Sequence, residues 1–293
     1  MTARIQAYAK INLHLDVSGL REDGFHNVVT VLHSLSLCDV IDIELSDGGD
    51  ILIECDKIGV PLDEKNIAHK AANLFFEKLG KRCGVSIKIK KNIPMAAGLA
   101  GGSADGAAVL IGLNKIFDEP FSSEELCEIG ARLGADVPFC ILCGCAYSEG
   151  RGDLPQSLPT LSRDMIFVVA CGGEGVSTPR AYAMLDDIYN CFTDYRPKTV
   201  DKIIGAIAGN DLDSLANSLF NIFEAPISKE RAAVGEIKSI MIDSGARVSM
   251  MSGSGPSVFG IFEKISDAEA AVRAITRKNY FAAMAFPVDK RMR

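Results

Sequence analysis

The feature that most constrains this chain is a glycine-rich run at residues 94–105, PMAAGLAGGSAD, which joins two segments of different hydrophobic period. Residues 85–89 alternate apolar and polar side chains, which predicts a strand ending near Pro94, whereas from about Ser103 to Phe117 apolar residues recur at helical spacing. Glycines let successive backbone N–H groups converge on an anion, and the N-terminus of the following helix adds a partial positive charge. The run therefore predicts a phosphate-binding loop.

This loop differs from two common nucleotide-binding patterns. No Lys-Ser or Lys-Thr pair closes it, as a Walker A loop requires, and the G-x-G-x-x-G spacing of a dinucleotide fingerprint is absent. The alternative is a strand-to-helix turn without a ligand. Glycines this dense cost conformational entropy, which favours the phosphate-binding interpretation.

Length and pattern predict two domains of the α+β class. A chain of 293 residues exceeds the usual size of a single core, and the loop carrying Pro155 and Pro159 is the best boundary. We therefore expect domains at residues 1–155 and 160–293, with a mostly antiparallel sheet in the first half.

Local signals predict several elements of the first domain. Residues 28–37 and 39–45 have the composition of two strands, and Asp-Gly-Gly-Asp at residues 47–50 predicts a hairpin. Residues 66–79 have the spacing of an amphipathic helix. The apolar run at residues 137–146 is expected to be a strand.

Composition and charge exclude several classes of partner. The net charge of −7 argues against nucleic acid or an anionic membrane, because both favour a basic surface. The sequence shows no apolar stretch long enough to span a bilayer and no signal-peptide pattern at its start. Nine scattered cysteines suit reduced thiols rather than a disulfide framework. We expect a cytoplasmic protein.

One cluster of cysteines has to be weighed as a metal site. Cys140, Cys143 and Cys145 lie within an apolar run, and no second pair of ligands follows at zinc-site spacing. Cysteines without a disulfide are among the most buried residue types. We expect these three to pack in the core and predict no metal site.

Three segments resemble the motifs of one kinase superfamily. Residues 94–105 resemble the second motif of the superfamily that contains galactokinase, homoserine kinase, mevalonate kinase and phosphomevalonate kinase. Residues 9–13, AKINL, resemble its first motif. Residues 252–257, SGSGPS, resemble its third motif, which is also a glycine-rich loop.

Further segments narrow the resemblance. Together with AKINL, residues 21–26 (REDGFH), 133–138 (LGADVP) and 177–179 (STP) are similar to the family of 4-diphosphocytidyl-2-C-methyl-D-erythritol kinases. The motifs follow the expected order between residues 9 and 257, so the resemblance covers nearly the whole chain.

The resemblance implies a fold and a reaction. The N-terminal domain would resemble domain 2 of ribosomal protein S5 and the C-terminal domain would be ferredoxin-like, with ATP and substrate in the cleft between them. The implied reaction is phosphorylation of the 2-hydroxyl of a small-molecule substrate, the cytidine-diphosphate-linked methylerythritol of the non-mevalonate isoprenoid precursor pathway. It would require ATP and magnesium, and no nucleic acid or membrane. The oligomeric state does not follow from the sequence.

Two residues carry the chemistry that the resemblance implies. Asp136 matches the catalytic base and Lys10 the cation beside it, which would keep the carboxylate ionised and offset developing negative charge. Judged from the residues alone, Asp136 would be a turn or helix-end aspartate and Lys10 a lysine that extends to the surface.

Binding residues are assigned in the same way. On the substrate side, His26 and Asn12 match hydrogen-bonding residues, Phe25 a stacking residue, and Thr178 and Tyr182 the far wall of the cytidine pocket. Without the resemblance, His26 would be a solvated loop histidine. The residues that would bind ATP are Asn66, Pro94, Met95, Ala96, Ala97, Gly98, Leu99, Ala100, Gly101, Gly102, Ser103 and Ala104. An ordinary helix N-cap is at least as good an explanation of Asn66.

The chain departs from the family pattern at three positions. Phe25 stands where the family usually has tyrosine, so stacking is retained and a hydroxyl contact is lost. Ala100 stands where glycine is common, which is harmless only if its φ is negative. Gly106 stands where alanine is common and is expected to weaken the first helical turn by up to about 1 kcal/mol.

Two rival functions remain at this point. The first is another kinase of the superfamily that acts on homoserine, mevalonate or a sugar, and Phe25-His26 with the LGADVP run counts against it. The second is a nucleotide-binding regulator that has lost catalysis, which the presence of Lys10 and Asp136 disfavours.

Overall fold

The computed structural model describes residues 1–289 except residues 82, 190, 191, 193 and 194. The strands are β1 Thr2–Leu20, β2 His26–Ser46, β3 Ile51–Cys55, β4 Gly84–Lys90, β5 Cys145–Gly150, β6 Gln156–Leu158, β7 Ile166–Cys171, β8 Phe220–Asn221, β9 Val248–Met251, β10 Val258–Phe262 and β11 Phe281–Ala285. The helices are α1 Ile67–Leu79, α2 Gly101–Ile116, α3 Ser123–Ala131, α4 Asp136–Leu142, α5 Thr178–Tyr189, α6 Asp201–Gly209, α7 Leu212–Ser218, α8 Glu224–Glu230, α9 Ala232–Asp243 and α10 Ile265–Thr276. Two sheets with helices packed against them confirm the α+β class.

The first sheet is built around the long antiparallel pair β1 and β2, in the order β3-β4-β2-β1-β8, with β5 also paired to β2 and β6 to β5. The prediction of two strands within residues 28–45 is wrong, because β2 runs through both. The pairing shifts between Tyr8 opposite Cys38 and Ala9 opposite Leu35. The break in the hydrophobic alternation is therefore a bulge within one strand, not a turn between two.

The predicted hairpin at residues 47–50 is also wrong. Strand β4 lies between β2 and β3, antiparallel to the first and parallel to the second. Ser46 pairs with Gly84, and a methyl group at Gly84 would lie 2.6 Å from Ser46 Oγ. After the turn, the chain forms β3 at the edge of the sheet. It then passes through α1 and returns as β4, which pairs with β3 in parallel.

Helices α1 to α4 cover one face of this sheet. The predicted helix at residues 66–79 is confirmed as α1, where Asn66 Oδ1 caps the N-terminus by accepting from Ala68 N at 2.9 Å, and Gly80 ends the helix at φ +68°. Phe75 is completely buried at the centre of this layer.

The predicted strand at residues 137–146 is instead helix α4 followed by strand β5. The chain changes direction at Cys143 and Gly144, whose φ values are +60° and +83°. The helix is favoured because it packs closely on α3: a methyl group at Gly130 would lie 2.9 Å from side-chain atoms of Val137 and of Ile141. The prediction that Cys140, Cys143 and Cys145 pack in the core is confirmed, because all three are buried.

The second sheet has the order β11-β7-β10-β9, with every pair antiparallel. Numbered within this half, the order is fourth, first, third, second, and helices follow the first and third strands, as in a ferredoxin-like βαββαβ unit. The expected ferredoxin-like fold of the second half is therefore confirmed. In the part of the chain that the structure describes, no helix has the length and apolar character needed to cross a membrane.

The second half of the chain contributes one strand to the first sheet. Strand β8 pairs in parallel with β1 of the first sheet, His14 opposite Phe220, and Leu35 of β2 forms a bridge with Pro287. Strand β6 falls at the predicted division near residues 155–160 and belongs to the first sheet. The division into domains at that loop stays a prediction.

Candidate active site

A cavity of about 720 Å³ lies where the two halves of the chain meet. The first sheet contributes β1 and β2 to its wall, the helical layer contributes the starts of α2 and α4, and the second half contributes the start of α5 and the loop after β9. The residues assigned from sequence that line it are Lys10, Asn12, Asn66, Pro94, Met95, Ala96, Ala97, Gly98, Ala100, Gly101, Gly102, Ser103, Asp136, Thr178 and Tyr182.

Lys10 and Asp136 come together in this cavity from distant parts of the chain. Lys10 lies in β1 with a nearly buried side chain, and its Nζ is 3.7 Å from Asp136 Oδ2. The ammonium also donates to Asn12 Oδ1 at 2.7 Å, and Asn12 Nδ2 donates to Thr30 Oγ1 at 2.9 Å. Asp136 is the first residue of α4, and its side chain is 39% exposed. The ammonium is thus held by the sheet while the carboxylate faces the cavity.

The glycine-rich loop leads from β4 into α2, and three alternate residues of the loop have left-handed backbone. The φ angles of Ala96, Gly98 and Ala100 are +50°, +77° and +55°. Ala100 was expected to be harmless only with a negative φ, and its φ is positive. The left-handed conformation of a non-glycine residue costs about 1–2 kcal/mol. No side chain caps the start of α2, whose first residues Gly101 and Gly102 line the cavity. Their N–H groups are oriented as an anion site requires.

The loop after β9 supports this glycine-rich loop from the second half of the chain. Ser252 Oγ donates to Gly98 O at 3.2 Å and accepts from Asn12 N at 3.3 Å. A methyl group at Gly98 would lie 2.3 Å from Ser252 O, and one at Gly253 would lie 2.8 Å from Gly98 O. Both glycines are needed because the two backbones approach too closely for a Cβ.

Three residues assigned to ATP binding make contacts within the protein instead of offering free groups to a ligand. Leu99 and Ala104 are buried beneath the loop and do not line the cavity, and Leu99 O accepts from Lys10 N at 3.1 Å. Asn66 lines the cavity, but its amide is already used, since Oδ1 caps α1 and Nδ2 donates to Pro61 O at 2.7 Å. The N-cap interpretation of Asn66 is confirmed, and it holds the segment before α1 in place.

The substrate-side residues form two layers. Tyr182 lines the cavity and packs between His26, with ring centroids 4.8 Å apart, and Phe223, at 5.0 Å. Burial raises the pKa of the Tyr182 hydroxyl, and the charge of Asp136 adds to the rise. His26 lies behind Tyr182 with its side chain 10% exposed, and its Nε2 is 2.7 Å from Asp186 Oδ1. The alternative of a solvated loop histidine is therefore wrong.

Phe25 and Thr178 complete the substrate side. Phe25 is 51% exposed and lies outside the cavity lining, with the guanidinium carbon of Arg151 4.4 Å from its ring centroid. Arg151 does line the cavity, so the pair extends the wall outward. Thr178 begins α5, and its Oγ1 lies 3.3 Å from Ser254 Oγ. Sequence reasoning missed Arg151, although its position between two glycines marked a turn.

Sequence reasoning also missed a buried charged cluster below the loop. Lys91 Nζ contacts Asp39 Oδ2 and lies 2.8 Å from Asp105 Oδ2. Lys91 and Asp105 line the cavity. The position of Asp105 within the glycine-rich run could have marked it as a candidate. No local pattern, however, connects it to Asp39 in β2. Within the described ranges, no group of three or more histidine, cysteine, aspartate or glutamate side chains is arranged to hold a metal ion.

Comparisons with known proteins identify relatives of the whole chain. Residues 66–144 match the N-terminal domain of the GHMP kinases and residues 203–281 match their C-terminal domain. The chain is 42% identical over 275 residues to the 4-diphosphocytidyl-2-C-methyl-D-erythritol kinase of Clostridium perfringens, covering 94% of each protein.

Solved structures share the architecture. A crystal structure of 4-(cytidine 5'-diphospho)-2C-methyl-D-erythritol kinase matches with a TM-score of 0.76 and 30% identity, over 98% of this chain and 100% of the other. Homoserine kinase from Cytophaga hutchinsonii matches with the same TM-score of 0.76 at 19% identity, over 99% and 95% of the two chains. The second match shows a shared fold alone, because one fold hosts several substrates.

Proposed function

Because the chain belongs to the GHMP kinases, and within them to the family of 4-diphosphocytidyl-2-C-methyl-D-erythritol kinases, we propose that it transfers the γ-phosphoryl group of ATP to the 2-hydroxyl of 4-diphosphocytidyl-2-C-methyl-D-erythritol. The observation that carries the proposal is one cavity holding both a helix N-terminus free of side-chain caps and, beside it, the Lys10–Asp136 pair at 3.7 Å. An anion site next to a cation and a carboxylate is the arrangement that phosphoryl transfer to an alcohol needs.

Asp136 acts as the general base in this proposal. Its partly exposed carboxylate accepts the proton of the 2-hydroxyl as that oxygen forms a bond to the γ-phosphorus. The bond between the γ-phosphorus and the β,γ-bridging oxygen breaks, and ADP leaves. The Lys10 ammonium, 3.7 Å from that carboxylate, offsets negative charge that develops between the two reactants.

Binding of ATP rests on the glycine-rich loop. The N–H groups at the start of α2 meet the phosphates, and the segment before α1, held by Asn66, borders the cavity on the nucleotide side. Magnesium enters as part of the Mg–ATP substrate, because magnesium at kinase sites keeps several water ligands and is held by substrate phosphates together with one or two carboxylates.

The cytidine end of the substrate occupies the other side of the cavity. Thr178 and Tyr182 line that side, and His26 with its Asp186 partner supports Tyr182 from behind. Asn12 lies between the two ends, where it accepts from Lys10 Nζ at 2.7 Å. The ring of Phe25, with Arg151 stacked on it, provides an aromatic surface at the mouth for the nucleobase.

Release of ADP tests the proposal when it is measured with the cytidine-linked substrate, mevalonate and homoserine in parallel. We expect turnover with the first substrate only. Asp136→Asn should lower kcat by roughly 10²–10⁴-fold, the range for a positioned acid–base group. The matched control is Asp201→Asn, because Asp201 is also the first residue of a helix but is exposed and remote from the cavity. Absence of turnover on the cytidine substrate, or full turnover in Asp136→Asn, contradicts the assignment.

A further inference from the structure

Two carboxylates share one ammonium directly beneath the glycine-rich loop. The side chains of Lys91, Asp39 and Asp105 are 5%, 0% and 6% exposed. Lys91 follows β4, Asp39 lies in β2 and Asp105 lies in the second turn of α2, so the cluster joins three elements. A methyl group at Gly101 would lie 3.3 Å from Lys91 Nζ, which shows how close the cluster is to the start of α2.

The cluster ties the two ends of the loop together. Asp39 Oδ1 accepts from Asn92 N at 2.6 Å and from Ile93 N at 2.8 Å, which anchors the entry to the loop. Lys91 then joins this anchor to Asp105 at the loop's exit. The span between entry and exit, and hence the placement of the N–H groups that meet the phosphates, depends on these contacts.

The charges of the cluster do not balance when both aspartates are ionised. Two carboxylates and one ammonium then leave one net negative charge in a buried place beside an anion site. Asp105 Oδ1 is buried and has no hydrogen-bond partner, which is costly for an ionised carboxylate. A proton on Asp105 removes the net charge and supplies a donor, and Asn at this position would imitate that state.

The charged groups acting on Asp105 are its two partners. Burial raises the pKa of Asp105 to about 7, against the charge of Lys91, while the charge of Asp39 and a hydrogen bond to it favour the protonated form. Burial disfavours the Lys91 ammonium, but the two carboxylates outweigh it and raise the pKa of Lys91. The protonation of Asp105 therefore changes near neutral pH.

We propose that the Asp39–Lys91–Asp105 cluster positions the phosphate loop and that Asp105 takes up a proton from solvent when ATP binds. The phosphates bring negative charge next to the cluster, which favours its neutral form. Below about pH 7 Asp105 already carries the proton and binding takes up none, whereas above it binding takes up as much as one. By linkage the affinity for ATP falls as pH rises through this range, by at most about tenfold per pH unit. The inference rests on the proposed function only in that ATP is the ligand.

Calorimetry with the imido analogue of ATP and saturating magnesium tests the coupling. Titrations at pH 8 in buffers of different ionisation enthalpy count the protons taken up. We expect uptake by the wild-type protein and none by Asp105→Asn. The matched control is Asp118→Asn, an exposed residue beyond the other end of α2 with φ +60°, which asparagine tolerates; it should behave as wild type. Binding to the wild-type protein without net proton uptake overturns the proposal, even if Asp105→Asn fails to fold.

Kinetics test the positioning role. Between pH 7 and 8.5 the KM for ATP should rise several-fold more in the wild-type enzyme than in Asp105→Asn, while the KM for the second substrate follows one course in both. The double variant Lys91→Met/Asp105→Asn should raise the KM for ATP at all pH values, and an unchanged KM contradicts the positioning role. If ATP binds with proton uptake but the cytidine substrate is not phosphorylated, the function fails and the inference stands.

Discussion

Two hydrogen bonds fix the protonation state of the buried His33 side chain. His33 in β2 is fully buried; its Nδ1 donates to Ser34 O at 2.8 Å and its Nε2 accepts from Leu161 N at 3.1 Å. An imidazole that accepts at one nitrogen and donates at the other is neutral. Burial accordingly lowers the pKa of His33 to about 4. The ring joins β2 to the loop after β6 only while it stays neutral.

This predicts a loss of stability in acid with a defined sign. The unfolded chain binds a proton at His33 near pH 6.5 and the folded chain only near pH 4, so the free energy of unfolding falls as pH drops through this window, by roughly 3 kcal/mol. Burial also lowers the pKa of His14, against the charge of Asp16, which acts in the same direction. Urea unfolding at several pH values measures the total.

Two variants isolate the contribution of His33 to the loss of stability in acid. His33→Gln should be less stable at pH 7 and show a shallower decline between pH 6.5 and 4. His69→Gln, on helix α1, should retain the wild-type slope. Parallel slopes for wild type and His33→Gln would show that His33 does not control the acid response.

At the scale of helices and strands, glycines decide how closely elements pack. Gly106 was expected to weaken α2, since glycine costs about 1 kcal/mol relative to alanine inside a helix. Its role is contact with α1: a methyl group there would lie 2.6 Å from Ile67 Cγ2. Since Cγ2 is fixed to the Cβ of a stiff, branched side chain, it cannot move aside cheaply. Gly112 also packs closely on the first sheet, because a methyl group there would lie 2.3 Å from Cδ1 of Ile43 in β2 and 3.2 Å from Cγ1 of Ile5 in β1.

Replacing Gly106 should therefore destabilise the protein despite the better helix propensity of alanine. Overpacking costs about 1–3 kcal/mol, which outweighs a propensity gain of up to about 1 kcal/mol. The control is Gly205→Ala in α6, where nothing lies within 4 Å of the added methyl group, and it should stabilise the protein slightly. Denaturant midpoints compare the two.

A rescue variant sharpens this test. Ile67→Leu removes the γ2 methyl group that Gly106→Ala would clash with, so the double variant should regain much of the lost stability. If Gly106→Ala is as stable as Gly205→Ala, the close approach of α1 and α2 does not limit this position.

For the whole molecule, the cavity depends on the contact between the two halves. Asn221 of β8, a strand of the second half that pairs with β1, donates from Nδ2 to Met251 O at 2.8 Å and to Gly253 O at 2.9 Å. Its Oδ1 accepts from Phe223 N at 3.0 Å. One buried amide thus holds the loop after β9 against the glycine-rich loop.

Asn221→Ala should reduce both stability and ATP binding. Two buried carbonyls and an N–H lose their partner, which costs about 2–4 kcal/mol, and the support of Gly98 is loosened. We expect a higher KM for ATP and a lower Tm. The control is Asn114→Ala, which removes two hydrogen bonds to the backbone of Phe121, of 2.9 and 3.1 Å, far along α2. That variant should lose similar stability with an unchanged KM for ATP. Equal KM values for both variants would refute a role of Asn221 in supporting the glycine-rich loop.

Local pattern by itself determined much of this protein. The strand-loop-helix unit around residues 94–105, the helix at 66–79 and the motifs that point to the kinase family are properties of short segments, because period, capping residues and glycine content act over a few positions. Lys10 and Asp136 were assigned through such motifs, and both line the cavity.

Only the tertiary structure decided the rest. The first part of the apolar run at 137–146 is helix α4 because it packs on Gly130, and β4 lies between β2 and β3 because the sheet pairs distant segments. The glycine-rich loop depends on partners at positions 39 and 252 that no local signal connects to it. Burial of charges and the approach of two backbones are properties of long-range packing, and they appear only when the chain is folded.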